Sequence, residues 1–247
     1  MLKSFYNSID TILNNHQELI YQLKSLRDLL KTALAKDGFR LHCIEKILDT
    51  MDEWNDKEKS WNAPPIFYHD KLRYSVRIIF WPAFYENNPH QHKTWSVTGI
   101  FHNYLNIHTY QMLDHPKRLK KERAIIAAMG EVGYLTPGCI HNVNNITHDL
   151  SASIHIFNNI SDIDHPEENA VWYPSPRKHN LSAGLMDRAL LTCLSIASNI
   201  HIQQAFHIID RIYARSSSSI QLMAIKAMYG FNRAHAKQCF TRLEAVL

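Results

Sequence analysis

The chain has 247 residues, 45% of them hydrophobic and 20% charged, with a formal net charge of +4. That balance belongs to a globular protein with a sizeable core, and the charge excess is too small for a chain built around nucleic acid or a lipid surface. No run approaches the roughly 18 apolar residues of a bilayer span. Cys43, Cys139, Cys193 and Cys239 are too scattered for a disulfide framework or a CxxC pair, and the N-terminus lacks an apolar signal core. Together these features predict a cytoplasmic protein.

The first segment, residues 1–60, is predicted to form helices that pack on the rest of the chain. Ile12, Leu13, Leu19, Ile20, Leu23, Leu26, Leu29 and Leu30 recur at steps of three and four, the period of an amphipathic helix. A further helix is expected over "FRLHCIEKILDTMDEW", and "WNAPP" at 61–65 ends the pattern because its two prolines favour extended chain. The texture then changes. "RYSVRIIFW" (73–81), "TWSVTGIF" (94–101) and "SASIHIF" (151–157) are short, β-branched and aromatic, and turn residues separate them. A β-barrel or sandwich over 61–183 follows. Within it "HPKRLKKER" (115–123) carries five basic residues and reads as a solvated hairpin or loop, with an anion-binding patch as the other reading. Residues 161–183 are irregular, with Pro166, Pro174 and Pro176. The helical period returns over 184–247, where four helices of ordinary length are expected.

Chemistry concentrates around "NPHQHKTWSVTG" (88–99). On a strand, residues i and i+2 share a face, so His90 and His92 can reach one metal ion. A third ligand is offered by His141 in "GYLTPGCIHNVNN", after a Pro-Gly turn. The His-x-His pair followed by Gly133, Pro137, Gly138, His141 and Asn145 resembles the two motifs of the cupin superfamily. The resemblance implies a mainly β, antiparallel, jelly-roll-like barrel, flanked here by N-terminal helices and a C-terminal helical bundle. Many cupins add a glutamate ligand beyond the second histidine, but "KTWSVTG" contains no carboxylate. The site is then three neutral imidazoles with open positions, a set that suits Fe, Zn, Ni or Cu.

From Tyr68 to Asn158 the sequence resembles more narrowly the thiol dioxygenases, the family of cysteine dioxygenase and 3-mercaptopropionate dioxygenase. That resemblance implies Fe(II) held by His90, His92 and His141, with substrate thiol and O₂ at the open positions. It also implies supporting catalytic roles for Ser153 and His155, in a row where the family has Ser-x-His-x-Tyr. Phe157 replaces the tyrosine, and Val97 matches the place of the cysteine that crosslinks to it in some members. The family grips its substrate carboxylate with an arginine, because a planar guanidinium makes two bonds to it. Arg73 and Arg77 are the candidates before the first ligand, and Arg177 is the first arginine after the Ser-x-His row. Tyr85, Tyr104 and Tyr134 are candidates for the missing hydroxyl, whereas Trp95 and Cys139 read as core.

Two functions of different class follow. One is a non-haem Fe(II) oxygenase of a small thiol or amino-acid-like molecule, with O₂ as co-substrate and neither nucleic acid nor membrane as partner. The other is a non-oxidative metal-binding cupin, a sensor or interaction module whose C-terminal helices serve a homo-oligomer or a protein partner. A third, a three-histidine cupin with a hydrolytic or C–C-cleaving reaction, shares the metal site.

Overall fold

The structure is a computed structural model that describes residues 1–15, 18–51, 54, 63–113, 118–158, 170–173 and 184–246. The N-terminal helical expectation resolves into α1 (Leu2–Asn14), α2 (Leu19–Leu34) and α3 (Asp37–Thr50). In α2 the buried residues are Leu23, Leu26, Leu30, Ala33 and Leu34, so the apolar stripe read from spacing is the packed one.

Among the described residues ten strands follow: β1 (Phe67–His69), β2 (Tyr74–Trp81), β3 (His90–His92), β4 (Ser96–His102), β5 (Tyr104–Met112), β6 (Leu119–Ala128), β7 (Val132–Leu135), β8 (Ile140–Asn144), β9 (Ser151–Asn158) and β10 (Ala170–Trp172). They form two five-stranded sheets, in the orders β1-β2-β9-β4-β7 and β10-β3-β8-β5-β6. Every pairing is antiparallel. The chain closes with α4 (Leu185–Ser198), α5 (Gln203–Arg215), α6 (Ser218–Met228) and α7 (Arg233–Glu244). This is the mainly β, antiparallel two-sheet architecture with flanking helices that the sequence predicts. The expected boundary at 60/61 and residue 183 fall outside the described residues, which resume at Gly184.

The basic stretch read as a solvated hairpin or loop enters, from Leu119 onward, the exposed strand β6, paired antiparallel with β5. Backbone pairing holds it there, not burial: Lys120 to Ile126 are all exposed, so no apolar alternation marks the strand. Residues 114–117 lie outside the described residues.

The first sheet sits between the helices and the barrel interior. Its outward residues, among them Val76, Ile78, Phe80, Val97, Ile154 and Ile156, belong to one buried core with Leu23, Leu30, Ile44, Leu190, Cys193 and Ile208 of the helices. N-terminal helices, barrel and C-terminal helices therefore share a continuous apolar centre, with α2 against β4 and β7, α4 against β2, and α3 against α5. Polar ties reinforce it: Tyr74 Oη donates to Asp10 Oδ1 at 2.7 Å, and Arg211 Nη2 donates to Asp49 Oδ1 at 2.8 Å. The closest approach is at Gly99, where an added Cβ would lie 2.5 Å from Leu34 Cδ1. Only glycine lets α2 settle so near β4. The inward face of the first sheet carries a smaller cluster of Ile79, Trp81, Ile100 and Phe157, joined by Leu105 of β5. No helix of the described residues is long and apolar enough to cross a membrane.

Candidate metal centre

Strand β3 is three residues long and reads His90-Gln91-His92. Its neighbour β8 runs antiparallel and puts His141 directly opposite His90. The Pro137-Gly138 turn makes this possible. Gly138 takes φ +81°, and its N–H donates to His92 O at 2.9 Å, fastening the turn to β3. The three imidazoles converge: one ring nitrogen from each lies within 4.8 Å of the others. The centroid of the His90 ring is 4.9 Å from that of His92 and 4.4 Å from that of His141.

Backbone carbonyls fix two of the rings. His90 Nδ1 lies 3.0 Å from Asn88 O, and His141 Nδ1 lies 3.1 Å from Cys139 O. A carbonyl only accepts, so both Nδ1 atoms carry the proton and both Nε2 lone pairs are left for a cation. Burial pushes His141 down to about 4, against the opposing pull of the Cys139 carbonyl. The imidazole is therefore neutral, the form that ligates. Trp172 of β10, across the strand pair from His90, stacks on it at 4.4 Å and 28°. Three imidazoles without a carboxylate fit a divalent ion of the Fe, Ni, Cu, Zn group and fit Ca²⁺ or Mg²⁺ poorly.

The triad opens onto a cavity of about 510 Å³ between the sheets. Its walls are largely apolar, with Ile79, Ile100, Ile107, Ile125, Val143 and Phe157 among them. No residue of α4–α7 lines it. The C-terminal helices lie behind the first sheet and do not lid the barrel.

His155 faces this cavity from β9, held by a chain of hydrogen bonds. Trp81 Nε1 donates to Ser153 Oγ at 2.8 Å, Ser153 Oγ is 2.7 Å from His155 Nε2, and His155 Nδ1 is 2.9 Å from Thr98 Oγ1. Indole N–H is a donor only. Ser153 Oγ therefore accepts from the indole, and the directions of its contact with His155 Nε2 and of that between His155 Nδ1 and Thr98 Oγ1 are set by the imidazole tautomer. Burial is the main force pushing His155 down to about 3, helped by His92 and His141, so this ring too is neutral. Phe157 lies parallel to His155, 4.8 Å away and tilted 2°, and turns its edge to His92 at 6.1 Å. Of the expected supporting pair, His155 is in the cavity wall, whereas Ser153 stands behind it.

Several sequence expectations need correction. Val97 faces the helices, in the core shared with Ile156. The residue cross-strand from Phe157 is Ser96, which lines the cavity. The side chain opposite Phe157 is thus a hydroxyl, at Ser96. Arg73 lies on an exposed turn at φ +52°, outside the cavity wall. Arg77 is buried on β2 opposite His155, with Nε donating to Ser75 Oγ at 3.3 Å, and it too is absent from the wall. Arg177 falls outside the described residues. Of the tyrosines, Tyr134 lines the cavity, Tyr85 packs on Trp81 at 5.6 Å, and Tyr104 is exposed. Trp95 is core, whereas Cys139 is half-buried in the cavity wall. Asn145 serves the fold: its Nδ2 donates to Pro82 O and Asp149 O, both at 2.8 Å.

The structure also brings in residues that sequence reasoning missed. Arg123 and Glu122 of β6 are in the cavity wall, beside Ile125 and Ala127. Arg123, Ile125 and Ala127 share the inward face by alternation. Glu122 joins them through a bulge: Thr109 pairs with Arg123 and Tyr110 with Lys121, leaving Glu122 as the extra residue. The alternation of Arg123 with Ile125 was the available signal. Asn87 and Thr109, also in the wall, each hold a buried side-chain oxygen with no hydrogen-bond partner.

No protein-family model matches the sequence, and no curated protein matches it. Solved structures do match. A DMSP lyase aligns at 9% identity and TM-score 0.31 over 40% of this chain and 43% of the lyase. An oxalate oxidase in complex with the substrate analogue glycolate aligns at 15% identity and TM-score 0.34 over 65% of this chain and 66% of the oxidase. A cupin superfamily protein from Desulfitobacterium hafniense aligns at 10% identity and TM-score 0.30 over 39% of this chain and 74% of that protein. The chain thus spans less than half of the lyase and about two thirds of the oxidase. At such identities and scores the likenesses carry no argument; the fold rests on the two sheets themselves, and the site on the three histidines.

Proposed function

We propose that the chain is a non-haem, metal-dependent oxygenase of thiol-dioxygenase type, with Fe(II) at His90, His92 and His141 and with O₂ and a small thiol or amino-acid-like molecule as substrates. The observation that carries it is the carboxylate-free triad, one ring nitrogen of each histidine converging in the wall of a largely apolar cavity. Iron at such a triad supplies a redox-active centre with positions left for both substrates. The chain's own residues do the remaining work. Ile79, Ile100, Ile107 and Val143 keep water from the cavity and strengthen every polar contact inside it. Trp172 and Asn88 O hold His90 in one orientation, as Cys139 O does His141. Arg123 is the one arginine of the cavity wall among the described residues, and it fits the task first given to Arg73 or Arg77, gripping a substrate carboxylate. Ser153, His155 and Thr98 form a fixed row of hydrogen bonds beside the site.

The test combines elemental analysis with O₂ consumption. The purified protein should hold iron in stoichiometric amount, consume O₂ with a carboxylate-bearing thiol, and lose both properties on His90→Ala. Iron-loaded protein that stays inert across a panel of thiols and amino acids sinks the oxygenase reading.

Phe157 favours a second reading, since it puts no hydroxyl over the site. A metal-binding cupin without oxidative chemistry would act as a sensor or interaction module, and the exposed Leu222 and Met223 of α6 would be its contact surface. Metal retention without O₂ consumption, together with association through α6, is its signature.

A further inference from the structure

A second group of metal-ligating side chains lies in the C-terminal bundle, away from the barrel. His235 and Cys239 are one helical turn apart on α7 and therefore share a face. That face meets α5 at Asp210. His235 Nε2 is 2.7 Å from Asp210 Oδ1 and 3.5 Å from Cys239 Sγ, and one ligand atom of each residue lies within 4.8 Å of the others. A tetrahedral zinc with ordinary Zn–N and Zn–S bonds separates its nitrogen and sulfur ligands by about 3.5 Å. The Cys239–His235 pair already has that spacing, and the carboxylate needs only a small outward shift. We infer that Asp210, His235 and Cys239 form a second metal site, which takes a zinc-class divalent cation and clips α7 to α5.

Three features support the assignment. Thiolate, imidazole and carboxylate together select a borderline-soft ion over Ca²⁺ or Mg²⁺. Their charges balance: thiolate and carboxylate neutralise a divalent cation, so Arg242, close enough to act on Cys239, neighbours a neutral cluster. Access is graded. Cys239 is buried, whereas the side chains of His235 and Asp210 keep 30% and 46% of their exposure, leaving the fourth position to water. The site also answers a structural need. Of its twelve residues, α7 buries only Ala236, Cys239 and Leu243. Its ties to α5 are otherwise Tyr213 Oη donating to Cys239 O at 3.1 Å and the edge of Phe206 on His235 at 5.5 Å. A cation shared by the two helices fixes a face that apolar packing holds weakly.

Cobalt(II) titration of the full-length chain tests this, because a thiolate ligand gives cobalt a near-ultraviolet charge-transfer band that three histidines alone do not. We expect the band in the wild-type protein and in the His90→Ala chain. It should persist in Cys139→Ser, whose sulfur lies near the barrel triad, and disappear in Cys239→Ser. Asp210→Asn, a half-exposed change that spares the core, should weaken cobalt binding at the band by at least about tenfold. Absence of the band up to millimolar cobalt overturns the site, as does its survival in Cys239→Ser or wild-type affinity in Asp210→Asn. The cluster is then a hydrogen-bonded helix contact only.

Discussion

The two sheets of the barrel have the same strand count and opposite surroundings. In the first, β2 is buried along its whole length and β9 along all but its last residue. Helices cover one face and the cavity interior the other. In the second, β6 is exposed at all but two of its ten positions, and β5 at three of nine. The metal triad belongs to β3 and β8 of the thinly covered sheet, and the Trp81–Ser153–His155–Thr98 row to the heavily packed one. Stability is thus concentrated on one side of the cavity and the ligands on the other. Residues around the ligands can change there without dismantling the core.

Substitutions on the two sheets should expose this asymmetry. The largest effect is expected at Ile154, fully buried against the helices. Ile154→Ala should cost about 2–5 kcal/mol in denaturant-induced unfolding. A loss below about 1 kcal/mol would mean that the helices contribute little to the first sheet. Next comes Gly99→Ala. Its added methyl meets Leu34 and Leu30 of α2 and should cost about 1–3 kcal/mol by overpacking, with Leu34→Ala restoring part of it. Thr98→Val removes the partner of His155 Nδ1 and should cost about 1 kcal/mol. Its more telling readout is the metal-dependent activity, which should fall while metal content stays constant. The smallest effect is expected on the second sheet: Ile126 is 65% exposed, and Ile126→Ala should change stability by less than about 0.5 kcal/mol. A large loss there would show that β6 is covered by something beyond this chain.

The same contrast explains what could be read from the sequence. The three strands visible as apolar runs, at 73–81, 94–101 and 151–157, all belong to the first sheet. Burial on both faces writes itself as continuous β-branched and aromatic sequence. Strands β5 and β6 are largely exposed, so the charged start of "LKKERAIIAA" carries no strand pattern. Arg123 was legible only as one of five basic residues, not as part of a cavity wall. His90, His92 and His141 were legible because ligand spacing does not depend on how well a strand is covered. Val97 shows the fineness of the limit: strand β4 was found, yet a shift of one residue changes which side chains face the cavity, and Ser96 is the inward one. The helices were legible as apolar stripes of period 3.6, but the stripe from Ile12 to Leu30 concealed the break between α1 and α2.

The bulge between Thr109 and Tyr110 has a further consequence. One surplus residue in β6 brings Glu122 and Arg123, carboxylate and guanidinium, to the same side of a strand that would otherwise present only one of them. The charge pattern at the entrance is therefore set by residue count as well as residue type. Deleting a single residue between Lys121 and Arg123 would re-pair the strand and rewrite that pattern while leaving the packed sheet untouched. A one-codon step is thus enough to alter the charge of the cavity wall on the side away from the packed sheet.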